Sequence, residues 1–345
     1  MSKTLPVIVI LALAVAGCGE EQAESPETLR LIAHESFVDA VADDTFSAFT
    51  EDTGIEVEVL SSADAGTLVN QAVLTKDNPL ADVLFGVDDT FLSRALDEGI
   101  FAAHIASAIG EVDPDLRQPD DLATPIDFGD VCFNYDKQWF EDSELAVPED
   151  LDTLTDTTYA ELVTVEHPAT SSPGLAFMLS TIAMFGEDGW LDWWEEMRAG
   201  GINVVADWDT AYYGDFTRYG GESPIVMSYA SSPPAEVIFA EETLEEAPTG
   251  VIEAGCYRQV EYAGVLEGTP YPEEAGRLID FMLSVEFQEQ IPLTWFVFPA
   301  NQSAELPVEF VEHTVVPEDS NRIPAAEIAE NRDAWIDQWV QVMES

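Results

Sequence analysis

The sequence predicts an α/β protein built as two lobes with a cleft between them, on three observations. Strand-like and helix-like segments alternate over nearly the whole chain. ADVLFGVD (81–88) is a short, mostly apolar run bounded by polar residues, as expected of a strand buried on both faces of a parallel sheet. The pattern also moves to a second unit near Pro125 and later returns, which a length of 345 residues accommodates. Strand–helix–strand repetition implies right-handed crossovers and an open sheet with helices on both sides.

The chain begins MSKTLPVIVILALAVAGC, with Lys3 as a minimal positive region, an apolar run at 5–16 and small residues before Cys18. The run is too short to span a bilayer and reads as a processed signal. The segment resembles a bacterial lipobox, which implies a lipid on Cys18, an extracytoplasmic location and a membrane attachment through that anchor alone. The expected organisation is then a signal peptide at 1–17, a Pro, Ser and Glu-bearing tether at 18–27, a first lobe at 28–125, a second at 126–256, and a return at 257–345 that ends in a helix.

Within the first lobe, TLRLIAHESF opens as a strand, and VDAVADDTFSAFTEDTG has helical spacing that stops at Gly54. IEVEVLSSADAG reads as strand and turn, TLVNQAVLTKDN as a helix, and DTFLSRALDEGIF as another helix after the buried strand. In the second lobe, PIDFGDVCFNYD is strand-like, and ELVTVEHPATSSPGLAFMLSTIAMFG runs strand, elbow, helix. GGESPIVMSYASSPPAEVIF repeats that order; CYRQVEYAGVLEG (256–268) is a further strand and PYPEEAGRLIDFMLSVEFQEQI is helical.

Twelve Lys and Arg stand against 68 Asp and Glu, a formal charge of −56. That balance argues against nucleic acid and anionic lipid surfaces, both of which need basic patches. With Cys18 assigned to the lipobox, Cys132 and Cys256 remain, and two leftover thiols in an exported protein are expected to pair.

The elbow HPATSSPGLAFML (167–179) places Ser171 or Ser172 to cap a helix that starts near Pro173. A helix start preceded by small polar residues also suits a phosphate or hydroxyl. Aromatic rings cluster in polar stretches at DWDTAYYGDF, SYASSPP and LTWFVFP, where flat walls beside carboxylates suit a flat cationic ligand. Tyr212 and Phe216, at i and i+4, fit a helix core equally well. No G-x-S-x-G, H-E-x-x-H, GxxxxGK[ST] or CxxC occurs, the four histidines are scattered, and nothing points to an enzyme, a metal or a cofactor.

Seven stretches taken in order, ADVLFGVDDTFL, PIDFGDVCFNYDK, HPATSSPGLAFML, VADWDTAYYGDF, GESPIVMSYASSPPAEV, FQEQIPLTWFVFPANQ and NRDAWIDQWV, resemble the thiamine-binding proteins of bacterial ABC importers. The resemblance runs from about Leu29 to Val340. It implies a type II periplasmic-binding-protein fold, two α/β lobes joined by crossing hinge strands, no catalytic activity, thiamine or a thiamine phosphate as ligand, and delivery to a permease driven by a separate ATPase. It assigns Asp64 to the acidic loop of the first lobe, Ser171 to the ligand's phosphate or hydroxyethyl end, Trp208 and Tyr229 to ring contacts, and Trp295 and Phe296 to the aromatic position of the returning lobe. The pattern departs at His34, where relatives carry tyrosine, at Ala235, and in WFVFP; His34 is retained as a candidate contact. A rival within the same fold is a ferric-ion binder using Tyr212 and Tyr213 with His34 and an acid.

Overall fold

The computed structural model describes residues 25–118, 120–240 and 244–345. The signal segment, Cys18 and the tether up to residue 24 lie outside them. Among the described residues no helix is long and apolar enough to cross a membrane.

Among the described residues ten strands join in one mixed sheet. They are β1 (Thr28–His34), β2 (Glu56–Ser62), β3 (Val83–Asp88), β4 (Phe101–Ala102), β5 (Thr124–Asp136), β6 (Val163–Glu166), β7 (Asn203–Val205), β8 (Ile225–Tyr229), β9 (Thr249–Leu266) and β10 (Phe298–Pro299). The main path runs β2-β1-β3-β9-β5-β8-β6-β7, with β4 beside β9 and β10 beside β5. In one half β1 lies parallel to β2 and β3; in the other β6 lies parallel to β7 and β8. The parallel arrangement read from the sequence holds within each half and fails at the junction. There β5 and β9 run antiparallel to each other and to their neighbours β8 and β3. The chain leaves one half along β5 and comes back along β9, so the two strands must point in opposite directions. β3 is buried at every residue, as its apolar run requires.

Cys132 and Cys256 form a disulfide between β5 and β9, in the interval where their register shifts. The bond closes a sequence separation of 124 residues, which on loop-closure grounds stabilises the fold by about 5 kcal/mol.

The helical stretch expected before Gly54 is two helices, Glu35–Ala40 and Ser47–Thr53. Val41 turns extended between them, and the following Asp43 and Asp44 are poor helix formers. This break lets Phe46 and Phe49 turn inward onto Phe281. Gly54 ends the second helix in the left-handed conformation.

The helix after the elbow spans Ser172–Gly200 and breaks at Gly186. Its apolar face buries Phe177, Trp190, Trp193 and Trp194. The C-terminal helix Ala325–Met343 lies against this elbow helix and against the helix Leu92–Asp97. Trp339 packs on Trp194 with ring centres 5.4 Å apart, and Arg332 covers Phe91. The helix closing the sequence thus straps both halves and not the first alone.

Candidate functional site

A cavity of about 450 Å³ opens between the halves. Its residues come from strand ends and the turns that follow them, as expected where parallel strands finish. His34 ends β1, Asp64 follows β2, Tyr229 ends β8, and Glu261 projects from β9. Trp295 and Phe296 enter from the segment before β10, and Trp208 from the segment after β7.

One side of the cleft is an aromatic wall. Trp208 stacks on Tyr212 at 5.0 Å with planes 15° apart, and its indole N–H donates to Ser228 Oγ at 2.9 Å. Tyr212 is buried in a π-helical turn, Thr210–Asp215, and not in the regular helix that its spacing with Phe216 suggested. Its hydroxyl donates to Glu236 at 2.9 Å, as does that of Tyr219 at 2.8 Å, and Arg218 Nε donates to the other oxygen at 3.0 Å. A buried carboxylate with three donors is well satisfied, and it fixes the rings in one arrangement. Burial and the Glu236 charge push the Tyr212 phenol well above its usual range.

The opposite side is an acid floor. Asp64 caps the helix Ala65–Leu74 by accepting from the Ala65 N–H at 2.7 Å, while its Oδ2 is buried without a hydrogen-bond partner. Burial pushes Asp64 up to about 6 against the helping cap bond. Asp127 and Glu261 face each other across β5 and β9. Burial first, then the Glu261 charge, raises Asp127 well above the carboxylate range, although Trp295 Nε1 donates to it at 3.1 Å. Behind them Asp88, raised to about 6 by burial, takes Gln259 Nε2 at 2.6 Å, and Gln259 accepts from the Tyr229 hydroxyl at 2.8 Å. Tyr229 therefore spends its hydroxyl inward and borders the cleft with its ring.

His34 is set into this floor by its backbone. Its Nδ1 accepts the Phe37 N–H at 3.2 Å, so the neutral ring carries its proton on Nε2, 3.3 Å from Glu261. Gly86, at φ 89 in a bulge of β3, makes room for the ring; a Cβ there would strike it. Burial alone would lower the His34 pKa, but Glu261, Asp64 and Asp88 outweigh it and the net shift is upward. Trp295 packs edge-on against Phe37 at 5.1 Å, joining the floor to the core of the first half.

The elbow behaves differently from the sequence expectation. Ser171 is the residue at the helix cap, yet its hydroxyl makes no capping bond. Ser171 Oγ and Ser172 Oγ are both buried without a hydrogen-bond partner of ordinary geometry. Ser171 stands beside Asp64, and Ser172 beside Asp88, each lowering its neighbour's pKa. Asp64 keeps one oxygen without a donor, whereas Asp88 already accepts from Thr90, Phe91 and Gln259. Gly174 lets the first turn lie against the backbone carbonyl of Glu166, whose own carboxylate is buried and unpartnered.

Six of the seven candidate contacts read from the sequence, His34, Asp64, Trp208, Tyr229, Trp295 and Phe296, border the same cavity. Ser171 is fully buried behind it, and Ser172 takes its place at the surface of the cleft. Phe296 holds a left-handed backbone at φ 56, a strained state for a residue with a side chain, and its ring meets Phe239 at the mouth. Ala235 also borders the cavity, with no ring to offer. The sequence reading missed Glu261, Asp127 and Asp88, because 68 acids obscure any single one. The signal that could have found them is an acid interrupting an apolar strand, as in PIDF, LFGVD and QVEYAG. The tyrosine pair of the ferric alternative is poorly disposed for a metal: the Tyr212 hydroxyl is committed to Glu236, and Tyr213 is half exposed.

A family model described as bacterial extracellular solute-binding protein matches residues 78–327. The thiamine-binding periplasmic protein of Escherichia coli (strain K12) is 30% identical over 292 residues, covering 85% of each chain. A solved periplasmic thiamin binding protein superposes with a TM-score of 0.81 at 28% identity, over 92% of this chain and 96% of its own. An iron-bound protein from Pseudomonas aeruginosa, with a TM-score of 0.73 and 19% identity over 92% of this chain and 99% of its own, shares the fold alone. The architecture is the type II periplasmic-binding-protein fold.

Proposed function

The chain belongs to the bacterial extracellular solute-binding proteins, and from that premise we propose that it captures thiamine between its two halves and delivers it to an ABC importer. It is a binding protein and not an enzyme, and it works outside the cytoplasm. The observation that carries the reading is the pairing of a stacked Trp208–Tyr212 wall with the unpartnered carboxylate oxygen of Asp64 across one cavity. Thiamine joins a flat aminopyrimidine to a cationic thiazolium. A ring face suits the first by stacking, and an acid floor suits the second. Trp208, Tyr229, Trp295 and Phe296 supply ring contacts in this reading, and Asp64, Glu261 and His34 the polar side.

The division into lobes follows β5 and β9, which serve as the crossing strands on which the halves close. Ser36 Oγ donates to Asp209 Oδ2 at 3.3 Å across the mouth, a contact that closure would strengthen. The lipid on Cys18 holds the protein at the membrane face, within reach of the permease. Titration calorimetry with thiamine tests the ligand: one site per chain with a Kd on the order of 1 μM or tighter is expected. No heat and no thermal shift at millimolar thiamine would refute it. Visible tyrosinate-to-iron absorption on adding ferric ion would favour the metal instead.

A further inference from the structure

We propose that the Cys132–Cys256 disulfide is a positioning pair for ligand capture: it locks a break in the crossing strands and so holds the aromatic wall at its binding distance from the acid floor. The proposal rests on the reading that the halves close on β5 and β9. Between the halves, the ladder joining these strands steps from Val131–Tyr257 to Phe133–Ile252, two residues on β5 against five on β9. Glu253, Ala254, Gly255 and Cys256 therefore have no ladder partner on β5 and bulge from it, with Gly255 at φ 78. A bulge leaves backbone unpaired and lets a strand bend. The other register shift, at Pro125 and Asp127, lies where β3 supports β9 along its second edge. The bulge is thus the place where the crossing strands have least backbone pairing to resist a swing of the halves, and it is there that the sulfurs are joined.

The two cysteines belong to strands that serve opposite sides of the cleft. Cys132 pairs across β5 and β8 with Ser228, whose hydroxyl accepts the Trp208 indole N–H at 2.9 Å. Tyr229 follows, with its ring over Gly129. On β9, Gln259 and Glu261 of the floor stand three and five residues after Cys256. The bulge is also pinned from the second half. Ser180 Oγ of the elbow helix donates to the Gly255 carbonyl at 2.7 Å. Asn321 donates its backbone N–H to the Cys256 carbonyl at 2.7 Å and its side-chain amide to Ser180 at 3.0 Å. Just beyond, Arg258 binds both oxygens of its ladder partner Asp130, at 2.7 and 3.0 Å. Both cysteines are buried, with Val251 and Val315 packed against them. With the sulfurs joined, the strands can pivot but cannot splay at the bulge. Without that tie the halves swing wider, and the fraction of molecules competent to bind falls.

The test is the Cys132→Ser/Cys256→Ser variant, measured well below its melting temperature. Without ligand, small-angle X-ray scattering is expected to give a larger radius of gyration than for the disulfide-bonded protein, and the two are expected to converge once thiamine is bound. Calorimetry is expected to show thiamine binding weakened on the order of tenfold, as when the binding-competent fraction falls by that factor. An unchanged ligand-free radius, or an unchanged or tighter Kd, would overturn the proposal even if the melting temperature drops. A staple that acts on the unfolded chain alone lowers the melting temperature and leaves the native halves as they were. If the double variant does not fold, Ser180→Ala unpins the Gly255 carbonyl with the disulfide intact. It is expected to weaken thiamine about threefold, and no change there would overturn the proposal. If thiamine binds neither form, the thiamine reading has failed, and scattering from the two ligand-free forms still decides the hinge.

Discussion

The two sides of the cleft are built on opposite principles. On the aromatic wall the buried hydrogen-bonding groups have partners, Trp208 with Ser228 and Tyr212 with Glu236, which also holds Tyr219 and Arg218. The acid floor is satisfied only in part: Asp64 and Asp127 each have one partnered oxygen, while Asp64 Oδ2, Asp127 Oδ1 and the hydroxyls of Ser171 and Ser172 are buried and unpartnered. A saturated network is rigid and its properties are set before any ligand arrives. An unsaturated one costs folding free energy and repays it only when a cation enters. On the proposed reading the wall decides shape, and the floor decides charge.

The largest effect should come from the wall. Trp208→Ala removes the stacking face and is expected to weaken thiamine on the order of 100-fold by calorimetry. A loss below threefold would show that the ring is packing for Tyr212 and not a ligand contact.

The floor should show itself through pH. Burial raises Asp64 from the ordinary 3.8 to about 6, and a cation favours the ionised form. Binding then expels a proton, so affinity should climb as pH rises through about 6 and level off above it. Asp64→Asn should cost on the order of tenfold at pH 8 and almost nothing at pH 5. The ligand-free protein should move the other way. Folded Asp64 and Asp88 keep protons that the unfolded chain has released, so their contribution lowers stability as pH rises from 3.8 to about 6. A thermal shift from thiamine that is larger at pH 5 than at pH 8 would contradict this sign.

Smaller effects separate support from contact. Glu236→Ala strands two buried or half-buried phenols and Arg218, and should lower stability by about 2 kcal/mol in denaturant unfolding. Glu236→Gln keeps an acceptor for the phenols and should change thiamine affinity only a few-fold. Tyr213→Phe should change nothing, since its ring is half exposed and the hydroxyl serves no described bond; loss of binding there would revive the ferric alternative.

The sequence made the wall legible and the floor nearly invisible, for a physical reason. Tryptophan is rare, so Trp208 in a polar stretch stands out, and the elbow is marked by its Ser, Pro and Gly. Carboxylates are the commonest feature of this chain, and only their position on a buried strand separates Glu261 and Asp127 from the solvated coat. Alternation placed the strands well, as β3, β6 and β8 show. It could not reveal that β5 and β9 run antiparallel through both halves, which depends on the path of the chain and not on local pattern. Ser171 illustrates the limit most sharply. Its place at the helix start was readable, but its full burial without a capping bond was not, because that depends on how the surrounding strands pack.

The most direct test of the division between wall and floor is a crystal structure grown with thiamine. The account predicts a ring face stacked on Trp208 and the thiazolium within about 6 Å of the Asp64 or Glu261 carboxylate. Thiamine found in the separate cavity beside Arg258 and Arg322, or a cleft left without ligand while calorimetry reports binding, would contradict it.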